Sequence, residues 1–155
     1  MCFAASRPGG NHIDFATYTR MIDRLVELEG VADIVQLSGG EPTLHPDLVR
    51  MVRYAYEQPI QAVMINTNGK RMANDEAFVA ELKESGVSIY FQFDGFEKET
   101  YRIIRREPDI LDEKMRALDN LAKVGLGVVL VPAIERDVNL HEVGAIVQFG
   151  LKHPA

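Results

Sequence analysis

The chain has 155 residues, 46% of them hydrophobic and 26% charged, with a formal net charge of -6. That size suits one domain with its own core, and the acidic balance argues against a broad nucleic-acid surface, which needs clustered cations. No apolar run approaches the roughly 20 residues of a membrane helix and no secretory leader pattern is visible, so the expectations are no transmembrane segment and a cytoplasmic location.

In chain order, Asp14 is placed to cap a helix whose apolar face carries Phe15, Tyr18, Ile22, Leu25 and Val26, with Gly30 ending it. Residues 34–37 form a short apolar run stopped by Ser38-Gly39-Gly40. Pro46 suits a helix first turn, and Leu48, Met51, Val52, Ala55 and Tyr56 follow at helical spacing. Residues 62–65 read as a second strand, ending in Asn66-Thr67-Asn68-Gly69. Phe78, Val79 and Leu82 mark a helix that Gly86 ends. Residues 87–93 read as a third strand, ending in Asp94-Gly95. Leu111, Met115, Leu118 and Leu121 share one helical face, closed by Gly125. Residues 128–133 are the fourth strand, and Val143, Ile146, Val147 and Leu151 the last helix.

A helix followed by four strand–helix units predicts an α/β fold with a parallel sheet, its strands adjacent in sequence order. Four units cannot close an eight-stranded barrel, so the sheet is open or part of a barrel. Ligand sites in parallel α/β folds lie at the C-terminal ends of the strands. The unusual residues fall there: residues 38–42, 66–69, 92–95 and 135–139. Taken alone, Gly39-Gly40-Glu41-Pro42 is equally an ordinary tight turn, since Gly and Pro are common turn residues. The one cysteine, Cys2, excludes an intrachain disulfide and fits a reducing compartment; a lone cysteine is usually a small buried hydrophobe.

The tetrapeptide at residues 39–42 resembles the GGEP motif of the radical S-adenosylmethionine (SAM) superfamily, which follows that family's second barrel strand. Three further features fall in the family's order. Met1-Cys2-Phe3 resembles the end of a CxxxCxxC cluster motif, Asn66-Thr67-Asn68-Gly69 the TNG element, and residues 91–95 the SLDG element with Gln92 in the usual Ser place. Asn139 matches a common Asn after the next strand.

The resemblance implies a partial parallel (β/α)6 barrel, with about four of six strands present. Residues 1–155 would be a core-domain fragment truncated at both ends, and Met1 a native residue inside a longer motif as easily as a start. It implies two cofactors, a [4Fe-4S] cluster held by three thiolates and SAM chelating the remaining iron. Cys2 would be the third cluster ligand. Gly39, Gly40, Glu41 and Pro42 would hold the SAM amino group, and Asn66, Asn68, Gln92 and Asp94 would complete the cofactor site. Reductive cleavage of SAM gives a 5'-deoxyadenosyl radical that abstracts hydrogen from substrate, with electrons from a donor such as flavodoxin or ferredoxin. With one thiolate, this chain alone is expected to be inactive. The strands at residues 34–37 and 128–131 would become open edges, so the fragment is expected to self-associate or to be marginally stable.

Residues 90–95 with Arg105-Arg106 resemble a subgroup containing pterin methylases and archaeal tetraether lipid synthases, which implies a small-molecule or lipid substrate. That subgroup carries Arg-Gly where this chain has Arg105-Arg106, so the local turn is expected to differ. Tyr101, Arg102, Arg105 and Arg106 read either as a solvated helix end balanced by Glu97, Glu99 and Glu107, or as an anion clamp with Arg105 on the substrate. His12, His141 and His153 show no metal spacing. Two other readings compete: a phosphate-binding α/β enzyme, although no GxxxxGK[ST] or GxGxxG occurs, and a cluster-free SAM- or partner-binding module.

Overall fold

The computed structural model describes residues 11–153; Cys2 lies outside the described residues. Helix α1 (Phe15–Glu29) starts where the Asp14 carboxylate accepts the Thr17 N–H at 2.6 Å. It stops where Gly30, at φ 75°, donates to the Val26 carbonyl. Then follow β1 (Ala32–Leu37), α2 (Leu48–Tyr56), β2 (Ile60–Thr67), a short α3 (Lys70–Asn74) and α4 (Glu76–Glu84). The chain continues with β3 (Ser88–Gln92), α5 (Lys98–Ile104), α6 (Ile110–Lys123), β4 (Val128–Val131) and α7 (Val143–Lys152). Single 3-10 turns occupy Pro42–Leu44 and Leu140–Glu142.

Two expectations change. Pro46 precedes α2 rather than sitting in its first turn, because Asp47 is the N-cap and its N–H is taken by the His45 ring. Pro42 instead fills the opening position of the 3-10 turn. Strands β1 and β2 are longer than their apolar runs, because Asp33 and Gln61 extend them on the polar side, with Gln61 donating to Asp33 at 3.1 Å.

The sheet order is β1-β2-β3-β4, all parallel. Right-handed crossovers between strands laid down in order put every helix on one face. Register partners share a face, so the row Leu37, Ile65, Ile89, Val128 packs under the helices, with Ile65 and Ile89 fully buried. The row Asn66, Tyr90, Val129 and the residues two away from it occupy the opposite face. That face stays open at its edges: Ile34 is 55% and Val129 43% exposed. A sheet that never reverses its winding has no switch-point crevice. It is a barrel segment, and its C-terminal rim is the place for a site. On α7, Ile146 is buried and Phe149 packs against the core, while Val147 and Leu151 are exposed, so only part of its expected apolar face is covered.

Candidate active site

Three side-chain knots link the C-terminal ends of the four strands. The first is Glu41. Its Oε1 accepts the Thr43 N–H (3.2 Å), the Thr43 hydroxyl (2.7 Å) and the Thr67 hydroxyl (2.6 Å), and its Oε2 accepts the Asn68 N–H (2.8 Å). One carboxylate thus caps the 3-10 turn after β1 and ties it to the end of β2. Oε1 is saturated, whereas Oε2 keeps an acceptor direction free, since each carboxylate oxygen offers about two. Asn68 Oδ1 accepts the Lys70 N–H at 2.9 Å and so shapes the start of α3.

The second knot is Lys114 of α6, only 1% exposed. Its Nζ donates to the Asn68 carbonyl at 3.1 Å and the Gln92 carbonyl at 2.5 Å, with the Phe91 ring centroid 5.2 Å away. Burial lowers its pKa to about 8, against the pull of Asp94 and Glu41 and with the help of Arg105 and Lys70.

The third knot joins β3 to β4. Asp94 is fully buried. Its Oδ2 takes Arg105 Nε at 2.6 Å, and its Oδ1 takes Arg105 Nη2 at 2.8 Å and the Ala133 N–H at 2.9 Å. Asn139 Nδ2 donates to the carbonyls of Asp94 (2.7 Å) and Ala133 (2.9 Å). The Tyr101 hydroxyl donates to the Gly95 carbonyl at 3.0 Å and accepts the Asp94 N–H at 3.2 Å; burial foremost pushes its pKa up. Gly95 has a steric reason to be glycine, because a Cβ there would lie 2.3 Å from the Glu142 carboxylate. Glu142 is committed to the chain: it accepts from the N–H groups of Phe96 and Glu97 and from the Thr100 hydroxyl, holding the start of α5.

Among the described residues, the sequence-predicted side chains therefore meet on one rim, with two kinds of task. Asn66 faces the open side of the sheet, and its buried Oδ1 has no hydrogen-bond partner among the described residues. Gln92 alternates with Tyr90 onto the same face, and its side-chain amide has no partner among the described residues. Gly39, at φ 149°, has open space where a side chain would be, and Pro42 sets the turn. A lone acceptor on Asn66, a half-free Glu41 Oε2 and the Gln92 amide donors fit the ammonium and carboxylate of an amino-acid end.

Asp94 and Arg105, expected on cofactor and substrate, are bonded to each other, so their observed task is to join two loops. Arg106 takes φ 62°, a left-handed conformation, at a strain of about 1–2 kcal/mol. The basic cluster is mostly paired, Arg102 with Glu99 and Arg105 with Asp94. Glu97, His141 and Glu142 converge within 4.8 Å, which sequence spacing did not reveal, but His141 is paired with Glu97 and Glu142 holds α5.

Sequence reasoning missed Lys114 and the linking role of Thr67. A signal for Lys114 existed, since it stands three residues after Leu111 and four before Leu118, on the apolar stripe. Among the described residues, no helix is long and apolar enough to cross a membrane.

Comparison with known proteins gives concordant matches. The model of the Radical SAM superfamily matches residues 1–150. The chain is 34% identical over 157 residues to a 7,8-dihydro-6-hydroxymethylpterin dimethyltransferase of Methanocaldococcus jannaschii, covering 99% of this chain and 31% of that protein. It is 26% identical over 154 residues to a probable GTP 3',8-cyclase of Pyrococcus abyssi, covering 97% of this chain and 49% of the relative. It is 34% identical over 114 residues to an Fe-coproporphyrin III synthase of Methanosarcina barkeri, covering 73% and 27% respectively. The chain spans between 27% and 49% of the length of these curated relatives.

Proposed function

The chain belongs to the radical SAM superfamily, whose enzymes use a [4Fe-4S] cluster and SAM, and on that premise we propose that it is the SAM-binding core segment of a longer, cytoplasmic radical SAM enzyme, truncated at both ends. The observation that carries this reading is the buried Asn66 Oδ1, unpartnered among the described residues at the end of β2, with the half-free Glu41 carboxylate tied to the same strand end through the Asn68 N–H. Asn66 and Glu41 Oε2 would accept from the N–H groups of the SAM amino group, and the Gln92 amide would donate to its carboxylate or ribose. Gly39, Gly40 and Pro42 shape the turn that presents Glu41, while Asn68 and Asp94 hold the rim from behind. Cys2 is one of three cluster thiolates, the other two preceding it in the parent chain. With both groups bound, the cluster supplies the electron that cleaves SAM to the 5'-deoxyadenosyl radical that abstracts substrate hydrogen. A donor such as flavodoxin or ferredoxin delivers that electron. Likeness to a pterin dimethyltransferase over 99% of this chain favours a small-molecule substrate over a lipid.

In the anaerobically reconstituted parent, Glu41→Ala is expected to weaken SAM binding at least 10-fold, since a hydrogen bond to a charged group contributes about 1.5–3 kcal/mol, with iron content unchanged. The measurement is SAM affinity below the variant's melting temperature. An unchanged affinity would remove Glu41 from the site, and a parent that binds SAM but no iron would favour the cluster-free module.

A second expectation concerns this chain alone. Strands β1 and β4 are sheet edges with exposed Ile34 and Val129, and such edges pair with other chains. Sedimentation of the purified chain should show association and iron analysis no cluster; a monomer carrying nearly four irons refutes both the truncation and the role given to Cys2.

A further inference from the structure

We propose that Lys114 is a positioning residue for the SAM-binding rim: by holding the carbonyls of Asn68 and Gln92 together, it sets the separation of the turns after β2 and β3 and hence the affinity for SAM. This rests on the SAM reading of the rim given above.

The register of β2 and β3 ends at the pair Thr67 and Phe91. One residue further, where the next rung would pair Asn68 with Gln92, both carbonyls point instead at Lys114 Nζ, at 3.1 and 2.5 Å. Lys114 thus takes the place of a rung just where the two chains leave the sheet. Both bridged residues belong to the rim. Asn68 gives its N–H to Glu41 Oε2 and its Oδ1 to the start of α3. Gln92 presents its unpartnered amide on the open face. A change in Nζ position moves both.

The energetics point the same way. Among the described residues, the hydrogen-bond partners of this buried ammonium are two main-chain carbonyls, with no carboxylate bonded to it. The charged groups that bear on it are Asp94 and Glu41, which favour the cation, and Arg105 and Lys70, which oppose it. An apolar side chain of similar volume fills such a place more cheaply than a buried cation. What a lysine adds is several N–H donors at the end of a long arm, able to grip two loops at once. Packing alone does not call for that.

Asn120 supplies a matched control. It lies on the same helix, is also buried, and donates to the Met72 carbonyl at 3.0 Å, away from the rim. The experiment measures equilibrium SAM affinity and thermal midpoint for the cluster-loaded parent enzyme and its Lys114→Met, Lys114→Gln and Asn120→Leu variants. Lys114→Met is expected to weaken SAM binding about 10- to 100-fold, as loss of a supporting contact behind a ligand site does. Lys114→Gln, which keeps two N–H donors, is expected to retain more affinity. Asn120→Leu is expected to lower the midpoint while holding affinity within about 2-fold, because its contact supports α3 and not the rim. Wild-type affinity in Lys114→Met, or an equal loss in Asn120→Leu, overturns the positioning role and leaves the SAM reading standing. Failure of the wild-type holoenzyme to bind SAM overturns both. Where Lys114→Met does not fold, Lys114→Gln carries the test, and wild-type affinity with a wild-type response of the reduced cluster's electron paramagnetic resonance spectrum to SAM overturns the proposal.

Discussion

Arg105→Met is expected to destabilise the protein by about 3–5 kcal/mol, the loss typical when one partner of a buried ion pair is removed. Asp94 has no exposed surface, while the Arg105 side chain keeps 30% of its own. Without the guanidinium, Asp94 would retain the Ala133 N–H at 2.9 Å but hold a largely uncompensated charge inside the protein. The damage would spread along the rim, because Asp94 and Asn139 together join the end of β3 to the segment after β4. For a domain of this size, the thermal midpoint should fall by roughly 6–20 °C. Adding Asp94→Asn to that variant should recover part of the loss, since it removes the stranded charge. If Arg105 were instead an anion clamp for substrate, Arg105→Met would leave the midpoint near wild type and raise KM alone. The two roles are therefore separable by one melting curve.

What the sequence made legible was whatever depends on local order. The start of β4 at Val128 was legible because its apolar run is continuous, although the strand stops at Val131 and not at residue 133, and α1 was bounded correctly because Asp14 and Gly30 act within one turn. The rim was legible as a set of loops, because each lies at a strand's C-terminal end. Which residues of those loops face a ligand was not legible, because that depends on partners far along the chain. Asp94 and Glu41 look alike as motif acids. Yet Asp94 is fully buried against Arg105 and Ala133, 11 and 39 residues away, while Glu41 is only part-buried and keeps part of one oxygen free. Lys114 was hidden for a different reason: a lysine on an apolar stripe is ordinarily read as snorkelling to the surface, and the two carbonyls that hold it lie 46 and 22 residues away. Arg106 shows the limit of reading a turn from residue type. The backbone there needs φ 62°, and the chain meets that need with a strained Arg where a Gly would be relaxed.

Gly69→Ala is expected to cost about 2–5 kcal/mol, the sum of left-handed strain at a non-glycine residue and overpacking of a filled core. Gly69 sits at φ 82°, a region that L side chains rarely adopt. A Cβ added there would lie 2.2 Å from Phe91 Cε2 and 2.7 Å from Cζ. Phe91 cannot simply turn away. It is fully buried at the end of β3, with the Lys114 ammonium 5.2 Å from its ring centroid. Relief must therefore come from the backbone of the turn, which carries the Asn68 N–H bonded to Glu41 and the Asn68 carbonyl bonded to Lys114. Gly69 also gives its own N–H to the Thr67 hydroxyl at 3.0 Å, so a shift there disturbs the first knot directly. Urea unfolding should show a lower midpoint with little change in slope. Below that midpoint, SAM affinity of the cluster-loaded parent should fall with it, since the displaced atoms are those that orient Glu41 Oε2. A stability loss below about 2 kcal/mol, no more than the cost of left-handed strain alone, would mean that Phe91 has room to yield and that the close approach is not what demands glycine.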